Sequence, residues 1–356
     1  MEKNTLSAFI HLGKLFHDLG NGLSYAESSK ACSDVQYENF NALILRQKKS
    51  NPWFTEINIR KSLYSLSKLC KKKELISFVN RYNLSLHSPK KKSNSKTIAI
   101  IMAGNIPLVG FHDLLCVLLS GNNALVKLSS DDQLLLPEFL NYLCSKFPFL
   151  KEKYSISTSS LKHMDGVIAT GSDNSNLYFK KYFGHLPHIF RKNRTSVAVI
   201  CGSETKTDFE NLGKDIFAYF GRGCRSVSHL LIPESFDINC FFEAIVNQGE
   251  IINHNKYGNN YDYNRAVHLM NQIPILDNNF VLLKETKELF SPLAMIHYHR
   301  YSSENDIESY LENHKESIQA IVGMHNNRIP FGQAQNPSIF DFADNVDTMK
   351  WLVNLN

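Results

Sequence analysis

The sequence predicts an α/β protein: a Rossmann-type parallel sheet, a helical region before it and a second α/β domain after it. Three observations lead there. Short apolar runs at 97–103, 124–128, 166–170 and 196–200 are each followed by a stretch of helical period. Such alternation implies a parallel sheet covered on both faces. Residues 1–95 show helical spacing instead, as in Ile59, Leu63, Leu66 and Cys70, then Leu75, Phe78 and Val79. The chain has 356 residues, 43% hydrophobic and 21% charged, enough for two domains with a sizeable core.

In order, the lysine-rich stretch 88–95, with Lys90, Lys91 and Lys92, reads as a surface linker. The run 97–103 ends at Gly104 like a buried strand, and a helical pattern follows over 107–119. Strand 124–128 precedes a helix over 132–146, strand 166–170 one over 174–182, and strand 196–200 one over 208–219. Beyond these, 228–233 reads as a strand and 236–246 as a helix. The Asn- and Tyr-rich stretch 249–279 is poorly periodic and reads as loops. Segments 280–283, 293–298 and 319–323 are further strand candidates. The expected boundaries are 1–95 for the helical region, 96–203 for a first α/β domain, 204–325 for a second and 326–356 for a tail. Ligands in such sheets sit at the carboxyl ends of the strands. Gly104-Asn105, Lys127-Leu128-Ser129 and Gly171-Ser172 all fall there.

Net charge of +5 suits an anionic ligand but is too weak to argue nucleic-acid binding. The seven cysteines are widely spaced, with no CxxC or zinc-type cluster, which reads as a reducing, cytoplasmic setting. The most apolar stretch, 106–119, contains His112 and Asp113 and is too short and polar to span a bilayer. His185-x-x-His188 and His297-x-His299 lack partners at metal-site spacing, so no metal is expected. No Gly-x-Ser-x-Gly elbow of a serine hydrolase occurs.

The most informative stretch is Gly221-Arg222-Gly223-Cys224-Arg225-Ser226. Glycine permits close backbone approach, and nearby guanidinium groups favour thiolate, the reactive form of cysteine. Read alone, it fits a nucleophile or a buried structural thiol beside a turn.

Taken with Gly104-Asn105-Ile106-Pro107-Leu108-Val109-Gly110-Phe111-His112-Asp113, Leu125-Val126-Lys127-Leu128-Ser129-Ser130 and Phe220-Gly221-Arg222-Gly223-Cys224-Arg225-Ser226-Val227-Ser228, the chain resembles the aldehyde dehydrogenase superfamily. Within it, the chain is similar to the LuxC-type acyl-CoA reductases from about 97 to 350. The resemblance implies an aldehyde-dehydrogenase-like fold, with 96–203 as the nicotinamide cofactor domain, 204–325 as the catalytic domain and 326–356 as a tail that packs back near the active site. It also implies reduction of a fatty acyl thioester to the aldehyde with NADPH. Cys224 matches the superfamily's catalytic cysteine. Asn105 matches an asparagine whose amide holds a developing oxyanion, a task suited to a neutral N–H donor. Read alone, Asn105-Ile106-Pro107 favours a plain helix start with Asn as N-cap.

On the cofactor side, Lys127 matches a lysine that touches the adenosine ribose and its phosphate; in isolation it is a solvated strand-end lysine. Ser129 follows it, and Ser130 stands where the superfamily often has a ribose-binding glutamate. A carboxylate there would repel a 2′-phosphate, so its absence favours NADPH. Gly171 and Ser172 match a Gly-Ser that opens a helix under the pyrophosphate. The usual second glycine is replaced, with Asn176 about where it would fall. Glu288, in Glu288-Leu289-Phe290-Ser291-Pro292-Leu293, matches a glutamate that holds the nicotinamide ribose. Pro330-Phe331-Gly332 resembles a late segment near the active site.

One departure bears on chemistry. Hydrolytic relatives carry a general-base glutamate in the stretch equivalent to 190–196, and this chain has no carboxylate there. Without such a base, water is not activated to hydrolyse an acyl-enzyme. Arg191, Lys192 and Arg194 form a cationic cluster there, which is either a solvated loop or a contact for cofactor or CoA phosphates. The expected partners are a fatty acyl-CoA or other acyl thioester, an acyl-activating synthetase and further copies of the chain, with no nucleic acid and no membrane span. The alternatives are an acyl-transfer subunit that binds nicotinamide poorly, a hydrolytic aldehyde dehydrogenase and a non-catalytic assembly protein of the same fold.

Overall fold

The first three α-helices of the N-terminal region start at side-chain caps. In a computed structural model describing residues 4–84, 95–325 and 327–355, Asn4 caps α1 (Thr5–Gly20) by accepting the Ser7 N–H. Ser33 and Gln36 form a capping box for α2 (Asp34–Ser50), and Thr55 caps α3 (Glu56–Leu69). α4 (Lys72–Arg81) follows directly. The expected linker falls almost wholly outside the described residues.

β1 (Thr97–Ile101), β2 (Asn123–Lys127), β3 (Tyr154–Ile156), β4 (Gly166–Thr170) and β5 (His188–Arg191) form one all-parallel sheet in the order β3-β2-β1-β4-β5. Helices α5 (Phe111–Leu119), α6 (Leu135–Lys146) and α7 (Asp173–Phe183) make the crossovers. The strand order reverses between β1 and β4, so their carboxyl ends flank the crevice where such sheets take ligands. Aromatic side chains join the N-terminal helices to this layer. Phe139 of α6 packs edge-on against Phe16 at 4.8 Å and stacks on Phe40 at 4.9 Å. The chain end returns to the same core through buried Ile339, Phe342, Met349 and Leu352, the last two on α12 (Thr348–Asn354).

A second sheet has the order β11-β6-β7-β10-β9-β8. It comprises β6 (Thr195–Val199), β7 (Val227–Pro233), β8 (Leu276–Asp277), β9 (Leu282–Glu285), β10 (Met295–Tyr301) and β11 (Ile318–Val322), parallel except for β8. Helices α8 (Lys206–Phe217), α9 (Ile238–Ile245), α10 (Asn255–Met270) and α11 (Glu304–His314) connect the strands. By contacts, the chain groups into one unit of residues 1–192 with 337–356 and another of 193–336. Against the expected boundary at 203/204, β6 pairs with β7 and β11 and so lies in the second sheet.

Two local expectations are corrected. The stretch 249–279 is not mainly loops, because α10 occupies its centre. The buried face of α10 is Tyr257, Tyr261, Asn264 and His268, helical in spacing but carried by polar and amphipathic residues that apolar periodicity does not register. The helix expected from residue 107 begins at Phe111, because Leu108 takes a left-handed conformation (φ 58°) that interrupts it.

Candidate active site

In the first unit, the turn after β1 is held from two sides. The Asp132 carboxylate accepts the Leu108 N–H at 2.7 Å, and the Ser62 hydroxyl donates to the Pro107 carbonyl at 2.7 Å. Gly104 is required by close approach, since a Cβ there would lie 2.5 Å from the Ser129 Oγ. Asn105 is half-buried in this turn. It is not a helix N-cap, because the N-cap of α5 is Gly110.

Asp132 is only 6% exposed. Burial pushes its carboxyl up to about 7, against the pull of the Leu108 N–H. A raised acid in the folded state gives stability that is complete below the unfolded value, 3.8, and lost as pH rises through about 7. We therefore expect Asp132→Asn to stabilise the protein at pH 8, by at most about 4 kcal/mol at about 1.4 kcal/mol per unit. The gain should shrink towards pH 5, as read from urea midpoints.

Lys127 ends β2 and donates from Nζ to the Ser159 carbonyl at 3.0 Å. It lines an open cleft of about 680 Å³ together with Ile101, Leu161, Tyr182 and His185. Ser129, Ser130, Gly171 and Ser172 are not on that lining. Ser129 Oγ accepts the Asp131 N–H at 3.2 Å, and Ser130 is exposed. Ser172 caps α7 by accepting the Ser175 N–H. A Cβ on Gly171 would lie 2.7 Å from that of Ser175, so the bend before α7 needs glycine. Asn176, in the place of the second glycine, is buried and donates its amide to the carbonyls of Gly171, Ser172 and Arg191. It thereby ties the first turn of α7 to the end of β5. Asp173 puts a carboxylate in that first turn.

The cationic cluster does not face solvent as a group. Arg191 is buried and ion-paired to Asp113, and it also donates to the Ala343 carbonyl and Thr348 Oγ1. It anchors the returning chain end and offers nothing to a phosphate. Arg194 donates to the Ile318 carbonyl, and Lys192 is exposed.

In the second unit, Cys224 lies half-buried in the turn between α8 and β7, at the amino end of that strand. Three successive left-handed residues, Tyr219 (φ 52°), Phe220 (φ 60°) and Gly221 (φ 76°), lead into it. For the two aromatic residues this costs about 1–2 kcal/mol each, strain of the kind that collects at functional sites. The Phe220 ring lies against His254 at 4.2 Å. Ser196 donates to the Cys224 carbonyl at 3.0 Å, and Ser226 closes the turn by donating its N–H to the Gly223 carbonyl at 2.9 Å. Arg225 donates to the Ala334 carbonyl, so that guanidinium braces the turn. Buried Asp215 of α8 accepts the N–H groups of Gly332 and Ala334, which brings the 330–335 segment to the Cys224 turn. Ser196, Asp215 and Asp132 were not legible beforehand, for each looks locally like any polar residue near the end of an element.

Glu288 is exposed, and its carboxylate is 3.4 Å from Lys284. Its main chain is held from below: the carbonyl accepts Nδ1–H from His297 at 2.8 Å and from His229 at 3.1 Å. With His229 donating through Nδ1, its Nε2 accepts from His299 Nδ1 at 2.8 Å. Burial, with His299 beside it, pushes His229 down to about 3; burial and Lys287 push His299 down to about 4. These rings are neutral structural groups. No cluster of three metal-ligating side chains occurs among the described residues, and no described helix is long and apolar enough to cross a membrane.

Solved aldehyde dehydrogenases share this fold. Aldehyde dehydrogenase 21 from Physcomitrella patens, in complex with succinate, is 11% identical with a TM-score of 0.63, covering 99% of this chain and 84% of that one. An indole-3-acetaldehyde dehydrogenase from P. syringae, in complex with NAD+ and IAA, is 10% identical with a TM-score of 0.61, covering 91% and 72%. An NAD-dependent aldehyde dehydrogenase from Sinorhizobium meliloti is 9% identical with a TM-score of 0.61, covering 92% and 72%. No curated protein sequence matches. The acyl-CoA reductase (LuxC) family matches residues 26–329, most of both units and the Asn105 and Cys224 turns alike. The chain is thus an oxidoreductase and belongs to the LuxC acyl-CoA reductase family.

Proposed function

We propose that this enzyme reduces a fatty acyl thioester, with CoA or a related thiol as leaving group, to the aldehyde at the expense of NADPH. The observation that carries the reading is Cys224 in a strained, half-buried turn within a chain of the LuxC family. The Cys224 thiolate attacks the thioester carbonyl, the carbon–sulfur bond to the leaving thiol breaks, and acyl-Cys224 remains. The Asn105 amide and the Cys224 N–H stabilise the oxyanion, as the family resemblance implies. The acyl-enzyme is protected from hydrolysis, because the stretch 190–196 offers no carboxylate base and Arg191 in it is already paired with Asp113.

A bound nicotinamide cofactor would supply hydride to the acyl carbon; the carbon–sulfur bond to Cys224 then breaks, which releases the aldehyde and returns the thiolate. The first unit has features that suit the cofactor: the cleft at Lys127 for the adenosine end and the Gly171-Ser172 bend for the pyrophosphate. Ser130, exposed and uncharged, leaves room for a 2′-phosphate. Glu288, on its histidine-held main chain, is assigned to the nicotinamide ribose. The same reading gives the enzyme a synthetase that activates its acyl group and a homo-oligomeric state.

Asp173 in the first turn of α7, with Asn176 in the second-glycine position, favours a second reading: an acyl-carrying subunit that binds nicotinamide poorly. The deciding experiment follows NADPH and NADH absorbance with a long-chain acyl-CoA and identifies the product. NADPH consumption with aldehyde formation supports the reductase. Acylated protein with no consumption of either nucleotide supports the carrier.

A further inference from the structure

We propose that Asp132 is a positioning residue for catalysis, fixing Asn105 through the Leu108 N–H. This rests on the oxyanion role given to Asn105 above. Within the turn the Phe111 N–H donates to the Leu108 carbonyl at 3.0 Å, and Leu108 itself sits in the left-handed region, which a leucine does not adopt unaided. Its N–H is aimed at Asp132 Oδ2 at 2.7 Å, and one residue earlier Ser62 fixes the Pro107 carbonyl. On the other side of Asn105, Gly104 is pressed against Ser129 and Asp131, so the loop 129–132 grips the turn at both ends.

The environment makes the grip sensitive to charge. Asp132 faces a small cavity of about 10 Å³ lined by Met102, Leu108, Phe111, Leu128 and Leu136, with no other ionisable side chain on that lining. His112 and Asp113 of α5 are not on it, and Asp131 next in chain is exposed. An ionised carboxylate accepts a hydrogen bond about twice as strong as a neutral one. The turn is therefore held most firmly when Asp132 is charged, and loosens as it takes up a proton near neutral pH. A buried carboxylate with one backbone donor costs stability, which the fold tolerates where it aligns a catalytic group.

The test is a double-mutant cycle on the intact protein, with Asp132→Asn, Asn105→Ala and both together. We expect Asp132→Asn to lower kcat about tenfold at pH 8 with the KM for NADPH unchanged. The part of the wild-type kcat rise between pH 6 and 8 due to Asp132 should vanish. In the Asn105→Ala background, the same substitution should change kcat less than about twofold. Amide exchange at Leu108 reads the clamp directly, and we expect it to speed up in Asp132→Asn at pH 8. Equal losses in both backgrounds, or an unchanged kcat and pH profile, would overturn the positioning role. Turnover with an unaltered Leu108 amide would overturn the clamp alone. A wild type that does not turn over would sink the oxyanion reading beneath it.

Discussion

Cys224→Ala should lose acyl-CoA-dependent NADPH consumption by about 10³-fold or more, the scale seen when a covalent nucleophile is removed. Intact-protein mass spectrometry should show wild type gaining one acyl group from acyl-CoA in the absence of NADPH, and the variant gaining none. The variant should fold normally. Bonds that alanine at 224 preserves hold the turn: Ser196 to the Cys224 carbonyl, Ser226 to Gly223 and Arg225 to Ala334. Alanine keeps the carbonyl and the N–H and removes only sulfur. Turnover surviving in Cys224→Ala would refute the nucleophile, whereas loss of turnover with the acyl adduct retained would place acylation on another residue.

Asn105→Ala should lower kcat by about 10²–10³, the cost of removing one oxyanion donor, or about 2.7–4 kcal/mol of transition-state stabilisation. The KM for NADPH should hold, since the amide is proposed to act on charge that develops only as the thioester is attacked. The structure makes the alternative account testable. If Asn105 were a helix cap, its loss would cost stability rather than rate, but α5 starts beyond it at Phe111 with Gly110 as cap. The variant should therefore keep the start of α5 intact, and its stability, read from the urea midpoint, should fall by less than the about 1 kcal/mol that loss of a cap costs. A lowered midpoint with kcat unchanged would show that the residue is structural.

Much of the first unit was legible from the chain alone. Strands β1 and β4 are short, mainly apolar runs buried on both faces, and β2 is an apolar run that alternates buried Ala124 and Val126 with half-buried neighbours; such runs stand out against the surrounding pattern. β5, at the sheet edge with one exposed and one half-buried residue among its four, does not, and it was not expected. Its last residue, Arg191, shows the limit most clearly. In sequence it stands in a basic run that reads as surface, but in the fold it is buried against Asp113, 78 positions away. Nothing local in Phe190-Arg191-Lys192 distinguishes the paired cation from the solvated one.

The family, the alternation of strands and helices, and the glycine-flanked turn at Cys224 are thus legible in the chain alone. These follow from apolar periodicity and from glycine-rich motifs that are contiguous in the chain. Only the tertiary structure decided which sheet β6 joins, that polar aromatic residues bury one face of α10, that Asp132 grips the Asn105 turn, and that His229 and His297 carry the Glu288 main chain. For the last three the cause is the same. A buried polar group is tolerated only where it finds a hydrogen-bonding partner, and that partner is supplied by chain folding back from far away rather than by neighbours in sequence.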